Sequence, residues 1–275
     1  MKKIREFIKS ILGNKLYNFL YSIYLAIINP KKELPNLILN RKYNIKDKDG
    51  SGLFSVRLLG GSTFSRAKSF FKSEPETINW IKSFKKNSVF FDIGANIGLY
   101  SLYSAKLNHS VVSFEPESLN FAALNLNISD NNFQKNITCY PIALDDNFLI
   151  SNLNIHKFRF GSSGHSFNRP ANSSDQKLEY MKSQGSISIT LDQFSETQNI
   201  FPDYLKIDVD GNELNVINGM KNLLKSKKIK SILIEINKNY QEHQKVIKII
   251  ESHNYRLDYY AESRHGANNH IFNLL

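Results

Sequence analysis

Cysteine is the scarcest side chain that carries chemistry here: Cys139 is the only one in 275 residues. A lone thiol excludes an internal disulfide and suits a reducing compartment. It lies in Ile137-Thr138-Cys139-Tyr140, an alternating run that reads as strand, so it is expected as filler and not as a nucleophile. No Cys and His residues have zinc-ligand spacing, and no internal repeat is visible. The phosphate loop G-x-x-x-x-G-K-[ST] is missing, and so is the G-x-G-x-x-G dinucleotide fingerprint. The densest apolar run, 16–28, contains Asn18 and Ser22. It falls short of the roughly 20 residues that cross a bilayer, and no small-residue cleavage site follows it.

What is present is a globular composition, 41% hydrophobic and 12% aromatic, with a net charge of +11. That charge is uneven. Residues 1–50 hold 11 Lys/Arg against 4 Asp/Glu, so they carry most of it, and the remaining body is not strongly basic. This argues against a nucleic-acid partner. Residues 1–50 are expected to form a basic amphipathic extension and linker, and 51–275 one α/β domain. Within the extension, 2–28 reads as a helix with Ile4, Phe7, Ile8, Ile11 and Leu12 on one side and Lys2, Lys3, Arg5, Lys9 and Lys15 crowding its start. It suits peripheral contact with a membrane interface, or packing on the core or on a second subunit.

The centre of the sequence is Val89-Phe90-Phe91-Asp92-Ile93-Gly94-Ala95-Asn96-Ile97-Gly98-Leu99-Tyr100. A short apolar run ends in an acid, a glycine turn follows, and Leu99, Leu102, Tyr103 and Leu107 then recur at helical spacing. Strand, turn and helix open a doubly wound α/β sheet, in which ligands bind beyond the carboxyl ends of the strands. Asp92 would repel a phosphate and attract a cation. S-adenosylmethionine, with a sulfonium and an ammonium, fits better than an anionic dinucleotide. A second apolar strand, Ser110-Val111-Val112-Ser113-Phe114-Glu115-Pro116, ends in an acid 21 residues after Gly94. An acid there can accept hydrogen bonds from ribose hydroxyls.

These pieces, with Ala143-Leu144-Asp145, Gly161-Ser162-Ser163-Gly164-His165-Ser166, Leu191-Asp192, Leu205-Lys206-Ile207-Asp208-Val209-Asp210-Gly211-Asn212-Glu213 and Leu233-Ile234-Glu235-Ile236, resemble the FkbM-type family of S-adenosylmethionine-dependent methyltransferases over about residues 88–236. The family usually has Glu where this chain has Asp210. The resemblance implies a Rossmann-like, seven-stranded class I methyltransferase sheet, mostly parallel with an antiparallel last strand, behind an N-terminal helical extension. It also implies a cofactor site at Asp92, Gly94, Ala95, Asn96, Gly98, Glu115, Pro116, Ala143, Leu144 and Asp145, the last turn bordering the adenine.

Between the landmarks, Ser73-Glu74-Pro75-Glu76 is expected to start a helix with Ser73 as its cap. Residues 53–59 suggest an edge strand, 137–142 the third strand, and 211–224 one helix. Residues 147–190 read as an inserted hairpin with a mobile loop over the site, presenting His165. Asp208 and Asp210 end the fourth strand. They could orient a substrate hydroxyl, take its proton, or hold a divalent cation, though no metal site is predicted. Glu213 suits a helix cap, Glu235 the floor of the site, and His265 and His270 its rim. Asp208 or His165 is the expected base, with Asp210 and Glu235 in support. The expected activity is O-methylation of a sugar, glycan or related small molecule by a cytoplasmic protein, with peripheral contact at the inner membrane face as an option. The alternatives are a nucleic-acid methyltransferase and a tethered, non-catalytic binding protein of the same fold.

Overall fold

Apolar segments too short to be helices recur between amphipathic ones from residue 89 onward, and each becomes a strand covered by helices on both faces. The structure, a computed structural model, describes residues 2–28, 40–168, 181–237, 241–260 and 267–275. Helix α1 (Lys2–Ile28) kinks at Gly13, whose φ of 72° leaves the helical region. A hairpin of β1 (Lys42–Lys46) and β2 (Gly52–Arg57) follows. The expected edge strand therefore pairs only with β1, and a division at residues 50/51 falls in the turn between the two. The hairpin packs through Arg57, whose guanidinium meets Asp130 at 2.7 Å.

Next come α2 (Gly61–Ser73), which periodicity did not reveal, and α3 (Pro75–Lys82). Ser73 is the last residue of α2 and not a cap; its hydroxyl donates to Ser69 Oγ. The break falls at Glu74 because a residue preceding proline is pushed out of the helical region, here to φ −139°. The core continues through β3 (Val89–Ile93), α4 (Leu99–Lys106), β4 (Ser110–Phe114), α5 (Ser118–Asp130) and β5 (Ile137–Tyr140). The last stops at Pro141, which has no N–H to donate.

An insertion of β6 (Ala143–Leu144), β7 (Leu149–Ile155), β8 (Ser166–Phe167) and β9 (Lys182–Ile189) forms its own sheet in the order β6-β9-β7-β8. The expected inserted hairpin is β7 with β9, and residues 169–180 of the loop expected there lie outside the described residues. The chain resumes with α6 (Leu191–Gln198), β10 (Tyr204–Ile207), α7 (Glu213–Asn218), α8 (Lys221–Ser226), β11 (Ser231–Asn237), α9 (Gln241–Ser252), β12 (Tyr255–Tyr260) and β13 (Ala267–Leu274). The single helix expected over 211–224 is two, split where Gly219 packs against the Asp145 carbonyl.

The main sheet has the order β12-β13-β11-β10-β3-β4-β5, parallel from β11 to β5, with β13 antiparallel between β11 and β12. This is the predicted seven-stranded arrangement, its last strand antiparallel. Two apolar layers sandwich it. One joins α3, α4 and α5 through Trp80, Phe90, Leu102 and Leu124; the other joins α6 to α9 through Phe91, Phe194, Ile217 and Val246.

Candidate active site

The two-residue period of the central strands sets what lies behind the site. Phe90, Val111 and Tyr204 pack in the first apolar layer, and Phe91, Val112 and Leu205 in the second. One step on, the residues facing the first layer are Asp92, Ser113 and Lys206, adjacent in register across three strands. Apolar strands thus carry one buried polar row just short of their carboxyl ends. Ser101 from α4 closes it: its Oγ–H donates to Asp92 Oδ2 at 2.5 Å and lies 2.8 Å from Ser113 Oγ. Lys206, 1% exposed, reaches Asp208 Oδ2 at 2.8 Å and lies over the Tyr100 ring. Burial alone would lower its basicity, but Asp208, Asp92 and Glu74 together raise it, so Lys206 is a buried cation. Burial pushes the Asp92 carboxyl up, and Lys206 opposes that.

The glycine turn rests against this row. Gly94 has φ +79°, and a Cβ there would stand 1.8 Å from the Asp208 carbonyl oxygen. Gly98, at φ +86°, is pressed against Leu124 in the same way. The turn's amides are already committed. Those of Gly94 and Ala95 donate to the Phe114 carbonyl, that of Asn96 to Glu115 Oε2, that of Ile97 to the Asn96 side chain, and that of Gly98 to the Ala95 carbonyl. Within residues 94–98 no nest of free N–H groups is left for a phosphate.

A cavity of about 710 Å³ opens beyond the strand ends. Its apolar walls are Phe114, Pro116, Ile142, Ala143, Leu144, Leu153 and Phe167; Gly94, Asn96 and Glu115 form one edge and Asp208, Asp210 and Asn212 another. Glu115 is 5% exposed, and burial pushes its carboxyl up to about 8 against the opposing amides of Glu117 and Asn96. Residues 161–164 close the top as a strap. Gly161 N–H donates to Asn120 Oδ1, the Ser162 carbonyl accepts from Asn96 and Asn120, Arg66 donates to the Gly161 carbonyl, and Gly164 N–H donates to Asp210 Oδ2 at 2.7 Å.

A second cavity, about 520 Å³, shares Gly94, Asn96, Arg66 and Asp208 with the first. Ser69, Phe70, Ser73, Glu74, Ala95, Tyr100 and Lys206 also line it. Burial and the Glu74 carboxylate, which accepts the phenol's hydrogen bond, push the Tyr100 hydroxyl pKa well up. The Asp208 charge, followed by burial, Glu213 and Asp210, pushes Glu235 up to about 9. Burial and Asp208 raise Asp210 to about 7. Among the described residues no cluster of three or more His, Cys, Asp or Glu is arranged to hold a metal.

The residues singled out from the sequence divide accordingly. Gly94, Asn96, Glu115, Pro116, Ala143, Leu144, His165, Asp208 and Asp210 meet at the first cavity, and Ala95 at the second. Asp92 lies beneath the floor, its charge answered by Lys206, because its strand position faces the first apolar layer. Gly98 is a packing residue. Asp145 is turned inward, accepting from Asn215 Nδ2 at 2.6 Å and Asn212 Nδ2 at 3.4 Å, and does not line the cavity.

His165 differs from the base expected of it. Its Nδ1 accepts from the His156 amide at 3.3 Å, so the ring proton belongs on Nε2, and burial lowers its pKa. It presents a neutral N–H donor, and the charges acting on it are those of Glu117, His156 and Arg66, not Asp208. Glu213 accepts from the Val209 and Gly211 amides and meets His243 at 3.1 Å, which fixes the loop carrying Asp210. His270 is 2% exposed within β13 and not a rim residue, while His265 lies outside the described residues. Sequence reasoning missed Arg66, Asn120 and Asn212; only Asn212, in the most specific motif, stood where it could have been suspected.

Known proteins add the family. The model of the methyltransferase FkbM domain matches residues 92–257, more than half of the chain. No curated protein sequence is a significant match. Among solved structures, the chain is similar to a methyltransferase FkbM from Methylobacillus flagellatus KT, at 17% identity and a TM-score of 0.45 over 76% of this chain and 53% of that one. It is also similar to a precorrin-6y C5,15-methyltransferase from Geobacter metallireducens GS-15 (12% identity, TM-score 0.43, 73% and 86% covered). A third is Aeropyrum pernix fibrillarin with natively bound S-adenosyl-L-methionine (10%, 0.42, 84% and 93%). With the seven-stranded sheet and its glycine turn described, the domain match leaves one conclusion: the chain belongs to the FkbM methyltransferase family.

Proposed function

We propose that the chain uses S-adenosylmethionine to methylate a hydroxyl oxygen of a sugar, glycan or related small molecule. The observation that carries this reading is Asp208, which walls both cavities and is held by buried Lys206. The first cavity suits the cofactor's nucleoside. Pro116, Ala143, Leu144, Leu153 and Phe167 make an apolar slot, and Glu115 can accept from ribose hydroxyls at its edge. The committed amides of residues 94–98 give a pyrophosphate no cradle within the turn, and the Asp208 carboxylate at the junction favours a cation. When bound, the cofactor supplies a sulfonium methyl group that an oxygen nucleophile can displace in line.

The second cavity suits a polyhydroxylated acceptor. Ser69, Ser73, Tyr100, Glu74 and Arg66 offer donors and acceptors, and Phe70 and Tyr100 offer ring surface. Asp208, at the junction, takes the proton of the acceptor hydroxyl, and Lys206 fixes the direction of that carboxylate. Glu235, expected at the floor of the site, lines neither cavity and acts only through its charge coupling to Asp208, while Asp210 ties the strap to the strand end. Positioning the oxygen and removing its proton are the two things the residues must accomplish.

The test is transfer of labelled methyl from the cofactor to a panel of saccharides, beside calorimetric titration with S-adenosylhomocysteine. Asp208→Asn should lower kcat by about 100-fold or more while keeping affinity for S-adenosylhomocysteine. Full turnover in that variant would remove Asp208 as the base. Saturable binding without transfer to any hydroxyl would favour the non-catalytic alternative, and no binding at all would overturn the cofactor.

The extension carries a second element of the reading. Helix α1 exposes Leu16, Phe19, Leu20 and Tyr24, each between 45% and 57%, on the basic end of the chain. No helix among the described residues is long and apolar enough to cross a membrane. We infer peripheral contact with an anionic membrane surface, on the cytoplasmic side where the cofactor is made. Co-sedimentation with anionic vesicles should fall in Phe19→Ser/Leu20→Ser; equal binding to neutral vesicles would count against it.

A further inference from the structure

The first cavity presents two buried polar atoms with no hydrogen-bond partner: Asn212 Oδ1 and His165 Nε2. Leaving such an atom unpaired in a folded protein is unfavourable, so each points to a ligand group. Asn212 is the more informative because its chemistry is fixed by a neighbour. Its side chain is 6% exposed and lies at the Asp145 end of the cavity, next to the apolar slot formed by Ala143 and Leu144. An amide flip exchanges a donor for an acceptor, and here Asp145 decides between them. Both Asp145 oxygens only accept, one from Asn215 and the other from Asn212 Nδ2, so the Asn212 amino group is drawn to Asp145. Oδ1, on the other arm of the amide, is left as a buried acceptor without a partner.

We propose that Asn212 reads the exocyclic amine of the cofactor's purine, and that buried Asp145 is the positioning residue that sets the polarity of its amide. This rests on the cofactor reading above. It reassigns the role that the turn 143–145 was expected to play directly: Asp145 acts through Asn212 and does not touch the ligand. A 6-amino purine offers the donor that Oδ1 lacks, whereas a 6-oxo purine would set oxygen against oxygen.

The experiment is calorimetric titration of the full chain with S-adenosylhomocysteine and with S-inosylhomocysteine, in which an oxygen replaces the amine. The wild type should prefer the amine by about ten-fold or more. Asn212→Leu, close in volume, should bring the two affinities within about three-fold, chiefly by weakening S-adenosylhomocysteine. Asn212→Ala repeats the test should leucine crowd the loop, with circular dichroism as the check on folding. Asp145→Asn, which gives Asn212 a neighbour able to donate, should narrow the preference by relieving the bias on the amide. A preference kept in a folded Asn212 variant would overturn the inference while leaving the cofactor reading intact. Failure of the wild type to bind S-adenosylhomocysteine would overturn both.

Discussion

The two cavities share Gly94, Asn96 and Asp208, yet their walls are built in opposite ways. The first is an apolar slot with Glu115 at one edge, its carboxylate answered by backbone amides. The second is lined by polar side chains that answer one another: the Lys206 cation with Asp208, and the Glu74 carboxylate with the Tyr100 hydroxyl. The difference teaches where recognition by shape gives way to recognition by charge. Backbone amides cannot be removed by a side-chain substitution, so the first wall tolerates single changes. The second depends on reciprocal pairs, and removing the acids around Lys206 would leave that buried cation uncompensated.

The comparison breaks most severely at Lys206. Lys206→Met should destabilise the fold by about 3–5 kcal/mol, because Asp92 and Asp208 would lose their shared cation. Chemical denaturation measures this; a loss under 1 kcal/mol would mean that the polar row is hydrated and not a charge pair. A smaller but more local break is Gly94→Ala. Its φ and the Asp208 carbonyl both forbid a Cβ, at a cost of at least about 1–3 kcal/mol. Since that carbonyl belongs to the shared wall, binding of S-adenosylhomocysteine should weaken along with stability, and unchanged affinity would show that the turn is free of the ligand.

The smallest effect sharpens the contrast through pH. Glu115 rises from 4.5 unfolded to about 8 folded, so between those values the folded chain holds a proton that the unfolded chain has released. Its contribution is therefore fully present below about pH 4.5 and is lost as pH rises towards 8. Each unit of that interval is worth up to about 1.4 kcal/mol. The melting temperature should fall as pH rises from about 4.5 to about 8, and Glu115→Gln should flatten the fall. An identical slope in that variant would assign it to Glu235 or Asp210, the other carboxyls raised into this range.

Much of this was legible in one dimension. The strand-end acids Glu115 and Asp208 followed apolar runs, and the missing phosphate loop foreshadowed a turn whose amides are all committed. Asp92 was legible as an acid but not as a buried one, because its partner Lys206 stands 114 residues further along, on a strand that only the sheet order brings alongside. The strap was similarly hidden: Arg66, Asn120 and Asp210 hold residues 161–164 from three separate elements.

The sequence by itself determined the fold family, the order of the central strands' landmarks and which turn bears the site. Those follow from local patterns: period-2 and helical apolar repeats, glycines at a forced turn, acids at strand ends. Packing in three dimensions set the rest: Asp145 is held by Asn212 and Asn215 away from the cavity, His165 Nδ1 accepts from a backbone amide where a base was expected, and Lys206 stays charged inside the protein. Each is set by hydrogen bonds and charges from residues distant in the chain, and no local pattern encodes the direction in which a buried polar atom will point.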